Sequence, residues 1–460
     1  MTSRSHWCCF DLGWFSTGDE RWSILNKFIT VNLVYLTIYL DFYLFKRKPS
    51  TAEKVANMEQ VECQAKAKSQ PERRYELDWL RVLAVLLLLY FHTAAIFYAG
   101  DLGEFYIKND QSSHAMSCFI AFVHQWHMPL FFLLSGAGTW LALSFRSPSQ
   151  YVQERFNRLF IPFLFGTLVL VPPQVYYRLL SNSSYQDSYL QFYPQFFNGI
   201  RPQGNFEWSH LWFVIYLFVF SLIALPLFLH LKGAGAHLLS KLSVGMEKSG
   251  AILLLALPLA AIEAGLRPRW PGFQNLYDDW ANFCLYLLYF IYGYLLSSDA
   301  KFVQAIDRHL RIALVLAVTS MLALFGLWET DSLPERGYSL GYILYQLLRG
   351  VDSWFWVVAL VGLGRRYLNF NSKLLQYASV ASYPFYLLHQ TVLVTIGFYV
   401  VHWSAGVMEK FLVISTTSLI ATIALYELLI RRNNVARFLF GLKPICSKQV
   451  LAQPVPAFKD

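Results

Sequence analysis

Ten long apolar segments, separated by polar loops, restrict the fold of this sequence more than any other feature. Each is close to the roughly 20 residues that an α-helix needs to cross the hydrocarbon core of a bilayer. They lie near residues 79–99, 116–143, 159–178, 209–230, 249–266, 281–298, 311–328, 340–363, 377–401 and 411–430. A spanning segment must satisfy its backbone polar groups internally. We therefore expect an all-α, polytopic membrane protein with about ten core helices and a possible extra N-terminal helix.

The composition supports a membrane protein. Hydrophobic residues make up 56% of the chain and charged residues 15%, whereas soluble domains are about one quarter charged. The formal net charge is +9, but the basic residues are distributed among separate loops and form no continuous patch. We therefore expect contact with a lipid bilayer and its anionic headgroups, and no nucleic-acid partner.

The Lys and Arg residues also predict the orientation of the helices. With ten core segments, the loops and ends on one side carry 26 Lys and Arg residues, and the loops on the other side carry seven. Cytoplasmic loops of membrane proteins are enriched in Lys and Arg. We therefore expect both ends of the core to be cytoplasmic. The asymmetry gives sidedness and does not identify the membrane; for an integral, multi-pass protein of this kind we expect a bacterial inner or plasma membrane.

Three regions are predicted along the chain. Residues 1–75 form an N-terminal extension with a basic linker, and residues 76–432 form the membrane core. Residues 433–460 form a basic cytoplasmic tail. Within the extension, residues 28–45 are apolar enough for an additional helix, which either spans the membrane or lies in its interface; we favour a span.

Two ionisable residues interrupt the first core segment. Arg81 lies near its start, and His92 follows eleven residues later, about 16 Å further along a helix axis. This spacing predicts that His92 lies near the middle of the bilayer, where an ionisable side chain is costly and commonly functional. The structural alternative is a buried histidine that hydrogen-bonds to a neighbouring helix.

The same residues carry a family resemblance. The blocks that carry it are Leu77-Asp78-Trp79-Leu80-Arg81 with His92, Trp126-His127-Met128-Pro129-Leu130-Phe131-Phe132-Leu133-Leu134-Ser135-Gly136, Arg155-Phe156-Asn157-Arg158-Leu159, His210-Leu211-Trp212-Phe213-Val214 and Ser382-Tyr383-Pro384-Phe385-Tyr386-Leu387-Leu388-His389. In this order they resemble the membrane acyltransferase-3 family over residues 75–430. The resemblance implies transfer of an acyl group from a cytoplasmic acyl-coenzyme A donor to a hydroxyl group on the far side of the membrane.

The resemblance also implies roles for individual residues. It assigns to His92 the general base that removes the hydroxyl proton, and neutral imidazole has a suitable pKa for this task. It places His127 with His92 and Arg81 among the catalytic residues, and His389 near the same cavity. For His127 and His389, structural hydrogen bonding between helices is an equal alternative. Arg81 would anchor the donor, although a simple ion pair with Asp78 explains its position equally well.

Further candidates concern substrate binding. Arg155 and Arg158 lie three residues apart, so they could share a helix face and hold the phosphates of coenzyme A, or serve only as an orientation signal. Arg349 and Asp352 have the same spacing within a span. Either they form a structural ion pair, or Arg349 holds an anionic acyl tail such as a succinyl carboxylate. The resemblance adds Trp212 to the substrate-binding residues.

No permanently bound cofactor or metal is expected. The six cysteines make no ligand spacing with histidine, and the chain contains neither a zinc-protease motif nor a Gly-x-Ser-x-Gly nucleophile motif. Acyl-coenzyme A would act as a substrate. We interpret Ser135-Gly136 as a site of close helix packing and not as a nucleophile.

Within the family, the motifs are most similar to the glucan-modifying branch, which includes a periplasmic glucan succinyltransferase. The resemblance therefore implies a carbohydrate or glucan acceptor and an acetyl or succinyl group. A different class of function remains open from the residues alone. A transporter or flippase for an acylated or lipid-linked glycan would also line its path with buried histidines and arginines.

Overall fold

The apolar segments of the sequence fold as helices that run back and forth between the two ends of a bundle. The computed structural model describes residues 73–100, 105–182 and 184–445. Its helices are α1 (Tyr75–Ala95), α2 (His114–Leu143), α3 (Pro148–Leu180), α4 (Tyr189–Gln195), α5 (Trp212–Ile223), α6 (Leu225–Lys232), α7 (Ala236–Gly245), α8 (Ala251–Leu254), α9 (Ala256–Leu266), α10 (Trp280–Ser298), α11 (Ala300–Glu329), α12 (Leu340–Tyr367), α13 (Lys373–Val400), α14 (Val407–Ile430) and α15 (Asn434–Leu439). Within these ranges, the only β pairing is a single bridge between Ile200 and Phe206.

The membrane-spanning character of the bundle follows from helix length and composition. Among the described residues, seven helices are long and apolar enough to cross a membrane, and an eighth span results if α5 and α6, bent by 45°, are counted as one. Two predicted segments fall outside this count. Segment 249–266 forms the short helices α8 and α9, and segment 377–401 forms α13, which is long but carries several polar residues. The protein is the predicted all-α, polytopic membrane protein.

The predictions for the two termini lie mostly outside the described residues. These are the N-terminal extension with its apolar segment 28–45, and the tail after residue 445. The part of the predicted tail that is described consists of α15 and the residues that follow it.

Helix α1 is displaced by about one turn from its predicted position at residues 79–99. It begins at Tyr75, where Glu76 and Asp78 place negative charge in the first turn, and it ends at Ala95. His92 therefore lies in the last turn of α1, about 5 Å from the helix end, and its location near the middle of the bilayer stays a prediction. Backbone hydrogen bonds from Asn109 to Ile96 and from Ser113 to Phe97 hold the following segment against that end.

Helix α3 starts before its predicted position and contains two π-helical turns, at Phe156–Phe160 and Gly166–Leu170. Each π turn ends two residues before a proline, Pro162 in one case and Pro172 in the other. Proline cannot donate the next backbone hydrogen bond, so the turn that precedes it can widen. The first wide turn contains Arg158, which is one of the predicted binding residues.

Helices α2 and α10 approach each other closely at two glycines. A Cβ atom on Gly136 would lie 1.9 Å from the carbonyl oxygen of Phe290, and one on Gly293 would lie 1.9 Å from the carbonyl oxygen of Leu133. Only glycine allows the two backbones to meet at this distance. The prediction of close packing at Ser135-Gly136 is thus confirmed, and the Ser135 hydroxyl donates to the backbone of its own helix, at Phe131.

The bundle has two chemically different ends. We call the end at which α1, α3 and α13 begin the basic end, because it carries Arg81, Arg155, Arg158, Arg365 and Arg431. We call the opposite end the loop end, because the described parts of the connections after α1, α3 and α9 lie there, namely 96–100, 105–113, 181–182, 184–211 and 267–279.

Candidate active site

Four histidines from different parts of the chain meet inside the bundle. His92 comes from α1, His127 from α2 and His389 from α13, while His210 lies in a short 3₁₀ turn, Ser209–Leu211, that precedes α5. Nδ1 of His92 lies 3.0 Å from Nε2 of His389, and the two rings are nearly parallel, at 7°. The His210 ring stands edge-on to His389, with 5.3 Å between the centroids.

The hydrogen bonds of His389 define which nitrogen of His92 is available for chemistry. Nδ1 of His389 lies 2.6 Å from the backbone carbonyl oxygen of Tyr386, which can only accept, so this nitrogen carries a proton. In neutral His389, Nε2 is then an acceptor, and Nδ1 of His92 donates to it. The lone pair of neutral His92 is therefore on Nε2, the nitrogen that points away from His389.

Burial distinguishes His92 from the other three histidines. His389 is 0% exposed, His127 is 2% exposed and His210 is 6% exposed, whereas His92 is half-buried. Aromatic rings of Phe91 and Phe105 flank it at centroid distances of 5.6 and 6.0 Å. His92 thus combines an uncommitted nitrogen with an accessible surface, as a group that acts on a substrate must.

Tyr386 connects two of the buried histidines. Its carbonyl oxygen accepts from His389, and its hydroxyl donates to the backbone carbonyl of His210. Nε2 of His210 in turn lies 3.2 Å from the backbone carbonyl oxygen of Leu387. The 3₁₀ turn and the middle of α13 are therefore held together by reciprocal contacts, and these contacts position His389 behind His92.

A layer of neutral polar side chains lies beside the histidines, towards the loop end. The Ser209 hydroxyl donates to Oε1 of Gln174 at 2.8 Å and accepts from Nε2 of Gln390 at 3.0 Å. Nε2 of Gln174 donates to the Thr391 hydroxyl at 2.9 Å. Amides and hydroxyls of this kind are the groups that hydrogen-bond to sugar hydroxyls.

His127, which was predicted to be catalytic, makes a structural contact. Its Nε2 donates across the helix interface to the backbone carbonyl of Ala84, at 2.8 Å. Its ring packs against Phe91 and Phe131 at centroid distances of 6.4 and 4.9 Å. The structure therefore places His127 in the wall of the site, as a link between α1 and α2.

Three arginines gather at the basic end of the same bundle. Arg81 pairs with Asp78 at 3.2 Å, the contact that their spacing allows, and its side chain is 37% exposed. Arg155 and Arg158 lie close enough to Arg81 to act on it electrostatically. The structure thus brings the predicted donor anchor and the predicted phosphate clamp into one basic cluster.

Within this cluster, Arg155 and Arg158 have different surroundings. Arg158 donates to Glu154 at 3.1 Å and to the backbone carbonyl of Gly441 at 3.3 Å. Arg155 stacks over the ring of Tyr151 at 4.7 Å, and its buried Nε has no hydrogen-bond partner in the part of the chain that the structure describes. Arg155 is therefore the arginine of the cluster that has most capacity for a ligand.

The predicted ion pair between Arg349 and Asp352 does not form. Arg349 donates to two neutral amide oxygens, those of Gln125 at 3.3 Å and Gln346 at 3.2 Å. Asp352 is fully buried and accepts from the Ser320 hydroxyl at 2.7 Å. Although the i, i+3 spacing permits a pair, Arg349 bonds to α2 and to its own helix, and Asp352 bonds to α11.

Trp212 belongs to an aromatic core and not to the histidine cluster. Its ring contacts Phe132, Tyr216 and Tyr286, with centroid distances from 5.3 to 6.2 Å. It is 7% exposed. The structure therefore gives Trp212 a packing role, between α5, α2 and α10.

The sequence analysis did not single out His210 and Tyr386 as site residues. Both lie inside blocks that were recognised, the first in residues 210–214 and the second in residues 382–389. Their position inside these blocks was a signal in the sequence that could have identified both as site residues. The contact of Tyr386 with His389 lies within one helix, but the hydrogen bond from Tyr386 to His210 joins segments 176 residues apart, and local spacing carries no information on such a contact.

The fold and the site together define a class of protein. It is a multi-pass membrane protein with a half-buried imidazole inside its bundle and a basic cluster at one end.

The chain belongs to the acyltransferase-3 family, because the model of this family, described as "Acyltransferase domain", matches residues 74–427. It is thus a membrane acyltransferase. Similar curated proteins are named glucans biosynthesis protein C. The Escherichia coli K12 protein is 24% identical over 416 residues, which cover 82% of this chain and 97% of that protein. The Salmonella typhimurium LT2 protein is 25% identical over 399 residues, covering 81% and 95%. No solved structure matches the chain.

Proposed function

We propose that this acyltransferase moves an acyl group from acyl-coenzyme A, bound at the basic end, to a hydroxyl group of a glucan at the loop end. The names of the similar proteins associate them with glucan biosynthesis, which supports a carbohydrate acceptor. The excess of Lys and Arg supports a cytoplasmic basic end, where coenzyme A thioesters occur, in a bacterial inner membrane.

The observation that carries this proposal is the pair formed by His92 and His389. Nε2 of His92 removes the proton of the acceptor hydroxyl while the hydroxyl oxygen attacks the thioester carbonyl carbon. A carbon–oxygen bond forms and the carbon–sulfur bond breaks, and the departing sulfur takes the proton back from His92. While His92 is cationic, its hydrogen bond to Nε2 of His389 is charge-assisted and therefore stronger.

The basic cluster provides the donor site. Phosphate groups favour arginine, whose planar guanidinium can donate two parallel hydrogen bonds. Arg155 has an uncommitted Nε, while Arg81 and Arg158 add positive charge beside it. In this arrangement the nucleotide of coenzyme A stays at the basic end, and the flexible pantetheine arm carries the thioester towards His92.

Arg349 selects the acyl group. A cation inside a membrane bundle normally has an anionic partner. Within the described ranges, the hydrogen bonds of Arg349 go to amide oxygens and not to a carboxylate. Glu263 and Asp352 act on Arg349 only from a distance, and a carboxylate at the end of a succinyl group would bond to its guanidinium directly, so we propose succinyl as the preferred acyl group.

The test of acyl choice compares two donors in Arg349→Gln. We expect transfer from succinyl-coenzyme A to fall by about tenfold or more, equivalent to one charged hydrogen bond, and transfer from acetyl-coenzyme A to change little. Arg432→Gln, at an exposed position of the basic end, is the control. Equal losses with both donors would contradict the assignment.

The test of the overall function uses liposomes that contain the purified protein, with a glucan oligosaccharide inside and radiolabelled acyl-coenzyme A outside. We expect labelled glucan from the wild type and a loss of about 10²- to 10⁴-fold in His92→Ala, since that is the usual contribution of a general base. His402→Ala, an exposed histidine away from the site, should behave as the wild type. Uptake of intact donor or glucan without formation of an ester would instead indicate a transporter.

A further inference from the structure

A cluster of three metal-ligating side chains at the loop end has no part in the proposed reaction. His114 and Cys118 lie one turn apart at the start of α2, and Glu329 is the last residue of α11. The sequence analysis noted no ligand spacing between cysteine and histidine, but these two residues are four apart and share a helix face. The third residue comes from a helix end more than 200 positions later, so local spacing could not indicate it.

The ligand atoms of the cluster already lie at mutual distances close to those in a metal site. A glutamate oxygen lies 3.0 Å from Nε2 of His114, and Oε1 lies 3.5 Å from Sγ of Cys118. Sγ is 3.7 Å from Nδ1 of His114 and 3.9 Å from its Nε2. Tetrahedral zinc, with its usual bond lengths to nitrogen, oxygen and sulfur, places its ligand atoms roughly 3.3–3.6 Å apart.

The identity of the donor atoms indicates which ion would bind. Thiolate and imidazole favour zinc over magnesium or calcium, which prefer oxygen ligands. Three protein ligands leave one tetrahedral position for water. That position is open to solvent, because His114 and Glu329 are 72% and 49% exposed in their side chains.

We propose that His114, Cys118 and Glu329 form a zinc site that connects the start of α2 to the end of α11. The Cys118 thiol loses its proton when it coordinates the ion, and the glutamate binds as the carboxylate. Zinc would thereby hold together two helices that carry neither His92 nor His389. Its removal should therefore affect stability more than acyl transfer.

The direct test uses the full chain, purified in detergent and freed of metal with a chelator, and measures the binding of added zinc. We expect the wild type to bind one equivalent. In Cys118→Ser and in Glu329→Gln the affinity should be lower by at least about tenfold, because each change removes one ligand. Cys284→Ser and His237→Gln alter a cysteine and an exposed histidine elsewhere, and they should bind as the wild type does. Equal zinc affinity in Cys118→Ser and Cys284→Ser would overturn the proposal.

A second measurement separates loss of the site from loss of folding. Cobalt added in place of zinc should give a thiolate-to-metal absorption band in the wild type and in Cys284→Ser, but not in Cys118→Ser. Zinc should also raise the melting temperature of the wild type and of His237→Gln, since a ligand that binds the folded state stabilises it. An unchanged melting temperature in the wild type at saturating zinc would contradict the tethering role. If Cys118→Ser does not fold, Glu329→Gln, which keeps the size of the side chain, decides the outcome.

Discussion

Nδ1 of His92 donates a hydrogen bond to Nε2 of His389, at 3.0 Å, across 297 positions of sequence. His389 is buried and has its other nitrogen bonded to a backbone carbonyl, so it can accept this bond only while it is neutral. The lone pair of neutral His92 is thereby on Nε2, which points away from His389. In the proposed reaction His389 positions the base, and its contribution can be measured separately from that of His92.

The first prediction concerns the replacement of His389. In His389→Ala nothing accepts from Nδ1 of His92, and we expect kcat to fall about 10- to 100-fold with little change in KM, because only the orientation of the base is lost. In His389→Gln the amide oxygen can still accept, so this variant should recover part of the activity. Steady-state kinetics with acyl-coenzyme A give both quantities. Identical activity of the two variants would argue against a positioning role.

A second prediction concerns donor binding. Arg155→Ala removes a guanidinium that has free hydrogen-bonding capacity, and we expect KM for acyl-coenzyme A to rise about tenfold or more at similar kcat. Arg158→Ala should have a smaller effect on KM, because Glu154 and Gly441 already use its donors. The matched control is Arg432→Ala. If Arg155→Ala lowers kcat and leaves KM unchanged, the donor phosphates bind elsewhere.

The third prediction concerns the contact between α2 and α10. In Gly136→Ala or Gly293→Ala, the new methyl group would meet a backbone oxygen at 1.9 Å, so the helices must separate. Overpacking of this kind costs about 1–3 kcal/mol or more, and we expect a clearly lower melting temperature in detergent. Gly138→Ala lies on the same helix with no atom within 4 Å of the new Cβ, and it should be neutral. Equal effects at positions 136 and 138 would mean that the helices are not in close contact.

A fourth prediction compares two ion pairs with the same i, i+4 spacing. Glu263 and Arg267 are almost completely buried and share two hydrogen bonds, at 2.5 and 2.9 Å. Glu263→Gln leaves a buried cation without its anion, and we expect a loss of about 3–5 kcal/mol in stability. Glu427→Gln breaks the more exposed pair with Arg431 and should cost at most about 1 kcal/mol. Thermal unfolding of the two variants side by side provides the measurement, and a similar cost for both would contradict the burial argument.

Some predictions from the sequence agree closely with the structure. Each predicted apolar segment is largely helical, although 209–230 and 249–266 are each divided between two helices, because the length and hydrophobicity needed to cross a bilayer are properties of a contiguous stretch. The close approach at Gly136 was also predictable, since a missing side chain is visible in the sequence. The bounds of the first helix were displaced by about one turn, because Glu76 and Asp78 favour a start at Tyr75, ahead of the apolar run.

The side chains that meet at the site were less predictable. The family motif indicated His92, His127 and His389, but not that His389 would accept from His92 while His127 binds a backbone carbonyl. Arg349 and Asp352 had the spacing of an ion pair, yet each bonds to a different neighbouring helix. Spacing along one helix shows which groups share a face, and it does not show what that face meets.

The sequence by itself determined that this chain is a helical membrane protein, in which order its helices occur, and which ionisable residues lie within them. These properties follow from the energetic cost of placing polar groups in hydrocarbon, which acts on each segment separately. Only the tertiary structure decided which nitrogen of His92 donates to His389, that Nε of Arg155 has no hydrogen-bond partner among the described residues, and that His114, Cys118 and Glu329 converge. Those outcomes depend on distances and angles between helices, and the packing of the whole bundle sets these distances.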